Sequence, residues 1–210
     1  MSTEVSLRCR CGKVRGVASD VSPSATNRLV CYCDDCQAFA HFLERPDALD
    51  AAGGTDIFQM APARVKITDG AALLRSMRLS PKGLLRFYTE CCRTPVANTM
   101  SARVPFVGLI HAFVADETDG RSRDDAFGKP IGFINGRSAR AAGGEVPANV
   151  HPTAPLGVVA RIARLLLGWW ITGKGTPSPF FDAKSKAPRV APRVLSEKER
   201  DALRSGRRAS

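Results

Sequence analysis

Three groups of cysteines constrain this chain more than any other feature of its sequence. The groups are Cys9 with Cys11, then Cys31, Cys33 and Cys36, then Cys91 with Cys92. Thiolate is the soft ligand that zinc prefers, and a structural zinc site takes four ligands in a tetrahedron. Each group follows a β-like run at a predicted turn. The pattern therefore indicates metal ligands rather than small buried hydrophobic side chains.

The composition is typical of one globular domain that is rich in turns. The chain has 210 residues, of which 44% are hydrophobic, with 18 glycines and 14 prolines. A core of this size forms without disulfides, and the many turn residues favour strands over a helical bundle. We expect a mainly β fold with short helices. Residues 1–150 would form a zinc-binding β domain and residues 151–210 an appended helical and coil segment.

Local patterns predict where the strands and the first helix lie. A strand, a turn containing Gly12 and a second strand are expected over residues 5–18. Residues 56–90 are typical of a meander, with strands at 64–68, 73–79 and 84–88 separated by turns. A short helix over residues 37–43 would follow the middle cysteine group and end before Pro46.

The last third of the chain differs in character. Residues 156–170 predict an apolar helix on which Arg161, Arg164 and Gly168 share one narrow face. The run is shorter than the roughly 20 apolar residues of a transmembrane helix. It can lie on a membrane surface, dock on a partner subunit, or pack on its own domain. Residues 177–192 suggest a linker, and Ser196 to Glu199 has capping-box spacing before a short polar helix.

Charge is concentrated at the C-terminal end. Residues 161–210 hold twelve Lys and Arg against four Asp and Glu, a net charge of +8, out of +11 for the whole chain. We expect this tail to be solvated or to bind an anionic partner weakly. The N-terminus has neither the charged nor the apolar region of a secretory signal, so the expected location is cytoplasmic. In a reducing compartment, cysteines serve as metal ligands or reactive thiols more often than as disulfides.

The cysteine groups suggest two sites with different roles. Cys9 and Cys11 need further ligands, and outside the middle group the remaining thiols are Cys91 and Cys92. Such a closed site would be structural, because metal binding energy becomes folding energy. The middle group offers three thiolates. Three protein ligands with an open position are typical of a catalytic zinc, and the alternative is a trio of reactive thiols without metal.

At these residues the chain resembles the glutathione-dependent formaldehyde-activating enzyme family, whose domain is shared with a centromere-associated protein. The family pattern C-X-C-G-X-V is matched at residues 9–14, and C-X-C-X-X-C at residues 31–36. The later pattern S-X-X-G-X-X-R-X-F, leading to C-X-X-C-G-T-P, is matched in large part at residues 80–95. The resemblance covers roughly residues 5–115.

The resemblance implies an Mss4-like β fold with two zinc positions. It assigns Cys9, Cys11 and the later cysteines to a structural zinc, and the middle cysteines to a catalytic zinc. The implied catalytic ligands are Cys31, Cys33 and Cys36. The implied activity is that of a carbon–sulfur lyase, which joins a small aldehyde to a thiol such as glutathione.

Two positions depart from the family pattern. Thr89 stands where the family has the first cysteine of C-X-X-C, so that the extra cysteine is Cys91, and Arg93 replaces the following glycine. Adjacent side chains of an extended chain point to opposite faces, so Cys91 reaches the metal only if the backbone bends there. Asp34, Asp35 and His41 lie near the middle cysteines as candidate acids and bases. The competing hypothesis is a non-catalytic zinc-binding interaction module that uses the basic tail and the apolar helix, and a homo-oligomer is a further option.

Overall fold

The mainly β prediction is confirmed by the computed structural model, which describes residues 3–139 and 146–205. The end of the basic tail, residues 206–210, lies outside the described residues. The strands are β1 (Val5–Arg8), β2 (Arg15–Ala18), β3 (Asn27–Cys31), β4 (Thr55–Met60), β5 (Val65–Asp69), β6 (Leu74–Arg78), β7 (Leu85–Thr89), β8 (Pro95–Thr99), β9 (Val107–Ile110), β10 (Glu117–Thr118), β11 (Arg121–Ser122), β12 (Phe133–Ile134) and β13 (Arg193–Val194). The helices are α1 (Asp34–Phe42), α2 (Arg123–Phe127), α3 (Leu156–Ile171) and α4 (Glu197–Arg204).

Eight strands form the main sheet, in the order β12-β3-β4-β9-β8-β7-β6-β13. The two edge pairs, β12 with β3 and β13 with β6, are parallel, and the inner pairs are antiparallel. Strands β1, β2 and β5 form a second antiparallel sheet, and β10 pairs with β11. The Mss4-like fold stays a prediction.

The main sheet divides the interior into two faces, as β7 shows. Phe87 belongs to the apolar core shared with Val5 and Leu7 of the smaller sheet. Its neighbour Arg86 lies over the Phe39 ring of α1, because successive side chains of a strand alternate. Strands β8 and β9 are buried along their whole length, since both of their faces are covered.

The predicted meander over residues 56–90 is wrong at its centre. The turn at Gly70 carries the chain from β5 in the smaller sheet to β6 in the main sheet, so the two strands do not pair. Gly70 has φ +69°, and a Cβ there would lie 2.2 Å from the carbonyl oxygen of Lys13. The close approach of the Cys9–Cys11 hairpin therefore sets the path of this turn.

The segment 177–192, predicted as a linker, packs into the main core. Phe180 is 1% exposed, and its ring centroid lies 4.5 Å from that of Phe87. The chain then adds β13 to the sheet edge and packs α4 on α1. The predicted capping box of α4 is present at Ser196. The division at residue 150 stays a prediction.

The predicted apolar helix is α3, and it packs on the domain with part of its surface. Val158 and Trp169 are buried, whereas Leu156, Trp170 and Ile171 are exposed. Within the described residues, no helix is long and apolar enough to cross a membrane.

Candidate metal centres

The first cluster brings the earliest and the latest cysteines together. Its members are Cys9, Cys11, Cys91 and Cys92, whose sulfur atoms all lie within 4.8 Å of one another. The Sγ atom of Cys91 lies 3.4 Å from that of Cys11, 3.9 Å from that of Cys9 and 3.8 Å from that of Cys92. Four sulfurs placed 2.3 Å from a central zinc in a tetrahedron are about 3.8 Å apart. The cluster therefore fits a four-thiolate metal site.

The turn between β1 and β2 points Cys9 and Cys11 towards this cluster. Gly12 has φ +75°, and its N–H donates to the carbonyl oxygen of Cys9 at 2.9 Å. The N–H of Val14 donates to Cys9 Sγ at 3.2 Å. A donor of this kind stabilises a thiolate, so the hairpin supplies both the shape and part of the electrostatics of the site.

Cys91 and Cys92 lie in a turn after β7 rather than in an extended segment. The alternation that would separate adjacent side chains does not apply there, and both thiols reach the cluster. Arg93 has φ +54°, in the left-handed region that glycine favours. The backbone turn thus forms even though arginine stands where the resembling family has glycine.

The hydroxyl groups of two threonines lie within hydrogen-bond distance of the Cys92 thiol. Thr89 Oγ1 lies 3.4 Å and Thr94 Oγ1 lies 3.2 Å from Cys92 Sγ. Thr89 stands where the resembling family has a cysteine, and its hydroxyl group contributes a hydrogen bond to Cys92. Thr94 Oγ1 also accepts from the N–H of Arg10 at 3.1 Å, which joins the turn to the β1–β2 hairpin.

Arg45 was missed by the sequence analysis and links this cluster to the chain after α1. Its Nη1 donates to the carbonyl oxygen of Cys92 and to Thr94 Oγ1, each at 3.2 Å. Asp47 balances the guanidinium at 2.6 Å. The arginine is 7% exposed, so its contacts are shielded from water.

The thiols of the first cluster differ in acidity. Burial and the hydrogen bond with Cys11 raise the pKa of Cys91 to about 12. For Cys92, burial acts in the same direction, but hydrogen bonds from Thr89 and Thr94 lower its pKa to about 5. The thiolate of Cys92 is therefore readily formed, and a bound cation would favour ionisation of Cys91 beside it.

The second cluster forms where β3 ends and α1 begins. Cys31 is the last residue of β3, Cys33 precedes the helix and Cys36 lies in its first turn, with the three sulfurs within 4.8 Å of one another. The positive end of the helix dipole favours thiolates here. Asn135 Nδ2 donates to Cys31 Sγ at 3.3 Å, because β12 runs beside β3. Three sulfurs leave a tetrahedral metal with one open position.

The second cluster is buried on one side and accessible on the other. Cys31 and Cys36 are each 6% exposed, whereas Cys33 is half-buried. On the buried side, Cys36 lines a small cavity with Thr55, Arg86 and Asn98. The cavity holds about one water-sized molecule. Solvent therefore reaches the site past Cys33, while the space behind Cys36 is no larger than one water molecule.

Arg86 places a positive charge beside this cavity. It is 2% exposed, its Nη1 donates to Asn98 Oδ1 at 3.2 Å, and its guanidinium lies 5.3 Å from the centre of the Phe39 ring. Within residues 3–139 and 146–205, no carboxylate forms an ion pair with it. The hydrogen bond with Cys31 and burial raise the pKa of Cys36 to about 12, and the charge of Arg86 acts against that rise.

Two of the predicted acid–base candidates are engaged by α4. Asp35 accepts from Arg204 at 2.6 Å, and His41 Nδ1 lies 2.8 Å from the carbonyl oxygen of Leu203. Both contacts join α1 to α4. Asp35 and His41 therefore hold the C-terminal helix on the domain.

A surface cleft of about 660 Å³ opens beside Cys9 and Cys11. Arginines predominate among its charged residues: Arg8, Arg10, Arg45 and Arg123 stand against Asp47 and Asp116. His111 also lines the cleft, and burial lowers the pKa of its imidazole. The neighbouring Ala112 packs against the apolar group that includes Cys31 and Cys36. The cleft thus extends from the first cluster to residues that pack around the second.

Fold and site together define a mainly β protein with two cysteine clusters that can hold metal ions. The chain belongs to a family of unknown function, DUF6151, whose model matches residues 1–190. That match includes all seven cysteines as well as α3 and the buried Phe180. A comparison with curated proteins gives no significant match.

Proposed function

We propose that this protein is a zinc-dependent carbon–sulfur lyase-like enzyme that acts on a thiol adduct of a small aldehyde. The observation that carries the proposal is the contrast between the two clusters. One has four sulfurs at tetrahedral spacing, while the other has three sulfurs, a helix N-terminus and one accessible side. This division supports the structural and catalytic roles that the sequence resemblance to the glutathione-dependent formaldehyde-activating enzymes implies for the two clusters.

Cys31, Cys33 and Cys36 would hold the zinc ion, which would supply a Lewis acid that keeps a substrate thiol ionised at neutral pH. In the adduct-forming direction, the substrate sulfur attacks the aldehyde carbon and a C–S bond forms. The C=O π electrons move to the oxygen, which takes up the proton that the thiol has lost. Arg86 lies at the cavity behind Cys36, where its charge stabilises the developing negative charge on that oxygen.

The arginine-rich cleft supports a thiol substrate with negative charge, and glutathione is the substrate that we propose. Arg8 and Arg10 line this cleft, where Arg123 is already paired with Asp116. Guanidinium groups bind carboxylates with paired hydrogen bonds. Glutathione carries two carboxylates and one ammonium group. Its charge therefore suits the excess of arginine over aspartate in the cleft.

Metal analysis combined with exchange NMR tests this function. We expect about two zinc ions per chain, and accelerated exchange of ¹³C-formaldehyde with its glutathione adduct. Cys33→Ser should keep the first zinc and the fold but lose the acceleration. The matched variant Cys11→Ser changes the other cluster, and it should lower stability while its folded fraction still catalyses.

Two results would contradict the proposal. One is a single zinc per chain, with Cys31, Cys33 and Cys36 open to alkylation in the native protein. The other is an unchanged exchange rate in Cys33→Ser.

The second candidate function is a non-catalytic zinc-binding interaction module. The exposed apolar side chains of α3 favour it, because a helix that served only its own domain would bury them. Two bound zinc ions without any acceleration of adduct exchange would select this function over the enzyme.

A further inference from the structure

Helix α3 presents an apolar face to solvent. Of the eight large hydrophobic side chains that are exposed in the described residues, five lie on this helix: Leu156, Val159, Leu167, Trp170 and Ile171. They recur at the three- and four-residue spacing of one helix face. Ala160 and Ala163 are exposed between them. This outward face extends along the whole length of the helix.

The inward face of α3 combines apolar packing with one buried polar anchor, so the helix is apolar on both faces, unlike the usual surface helix. Arg161 Nε donates to Asn27 Oδ1 at 2.7 Å, and its Nη2 donates to the carbonyl oxygen of Thr26 at 3.1 Å. Val158 and Trp169 are buried on the same side. The helix is thus anchored to the domain by an arginine and by two buried apolar side chains, while the apolar side chains of its outward face are left in water.

The sequence around α3 carries positive charge and no carboxylate. Residues 146–181 contain no Asp or Glu, and their cations are Arg161, Arg164 and Lys174. Arg164 is exposed beside the outward face. The chain as a whole has a net charge of +11. The charge of this region is therefore complementary to an anionic surface.

A second copy of the chain suits this face less well than lipid does. Arg164 lies at the middle of the helix, so a two-fold axis that pairs two α3 helices would bring Arg164 close to its own copy. In a bilayer the same side chain extends towards a phosphate group. Trp170, near the end of the helix, is of a residue type that concentrates at the headgroup level.

We propose that α3 binds the surface of an anionic lipid bilayer, lying parallel to it with the outward face at the boundary of headgroups and acyl chains. The sixteen residues of α3 lie on the membrane and do not cross it. The outward face contains no member of either cysteine cluster, although Ile162 on the inward side packs against the apolar group of Cys31 and Cys36. The proposal therefore stands whether or not the protein is an enzyme.

Vesicle co-sedimentation of the full chain tests the proposal. We expect binding to vesicles of phosphatidylcholine with phosphatidylserine, weaker binding to phosphatidylcholine alone, and loss of affinity at high salt. The double variant Leu167→Glu with Ile171→Glu should reduce binding by about tenfold or more, because it places carboxylates in the inserted face. The matched control is Met100→Glu, which adds a carboxylate at another exposed apolar residue and should bind like the wild type.

Fluorescence gives a second readout that does not depend on sedimentation. The chain has two tryptophans, so Trp169→Phe leaves Trp170 as the only one. Its emission should shift to shorter wavelength when anionic vesicles are added, since the ring leaves water.

Three outcomes would overturn the proposal. The first is Trp170 emission that does not change with vesicles. The second is equal binding by the wild type and the double glutamate variant, which would assign the attraction to the basic tail. The third is no vesicle binding together with a dimer that the glutamate variant dissociates, which would identify a second copy as the occupant.

Discussion

Replacing Arg86 with methionine should weaken metal binding at the second cluster much more than it changes the stability of the metal-free protein. The side chain is buried over Phe39 beside Cys36 and has no carboxylate partner within the described residues. Its charge is compensated when the nearby thiols ionise around a metal. Methionine has a similar length and no charge, so Arg86→Met removes the charge and leaves the packing largely in place.

The expected magnitudes follow from this geometry. Without metal, the variant loses a buried cation that has no carboxylate partner, but it also loses the hydrogen bond to Asn98 Oδ1. These two losses oppose each other, so the free energy of unfolding should change by at most about 3 kcal/mol. With metal, the thiolate cluster loses its neighbouring positive charge. Its metal affinity should fall by about 10–100-fold, the usual effect of removing a group that supports metal ligands. Urea denaturation of metal-free protein measures the first effect, and competition with a chromophoric chelator measures the second.

Arg28→Met is the matched control. Arg28 is also largely buried, but Asp56 pairs with it at 2.9 Å. Removing Arg28 leaves that carboxylate without its cationic partner, so the free energy of unfolding should fall by about 3–5 kcal/mol. The affinity of the second metal site should stay the same. An Arg86→Met variant that keeps full affinity for the second metal would refute the reasoning, whatever its stability.

Three further predictions concern the first cluster, the cleft and the core. Cys92→Ser should lose one metal per chain and unfold at lower temperature, as metal analysis and calorimetry will show, whereas Cys33→Ser keeps that metal. Because burial lowers the pKa of His111, the free energy of unfolding of metal-free protein should fall as the pH drops below about 6.5. His111→Phe should remove this part of the pH dependence in urea titrations. Phe180→Ala should cost about 3–5 kcal/mol in the same assay, whereas Leu167→Ala should change little because Leu167 is exposed.

Local sequence patterns predicted the features that depend on neighbouring residues. The β1–β2 hairpin, α1, α3 and the capping box of α4 all form close to where periodicity and turn residues place them. These signals are reliable because the interactions that produce them span only a few positions. The cysteine spacing also placed Cys31, Cys33 and Cys36 in one group, since these three lie within six residues of one another.

Strand pairing could not be predicted from the same patterns. β5 and β6 are consecutive and joined by a turn, yet they belong to different sheets because Gly70 packs against the β1–β2 hairpin. Segment 177–192 has the composition of a linker, but its two phenylalanines complete the core. In both cases the deciding contacts join residues that are far apart in sequence.

The cysteine motifs alone determined that this chain carries two groups of candidate metal ligands. Tertiary structure decided that Cys91 joins the first group, because its backbone turns where an extended strand would have pointed it away. It also decided that Arg86 faces Cys36 and that α3 leaves its apolar face in water. The burial of a side chain and the identity of its charged neighbours depend on which surfaces meet in the folded chain. The order of residues along the sequence does not specify which surfaces these are.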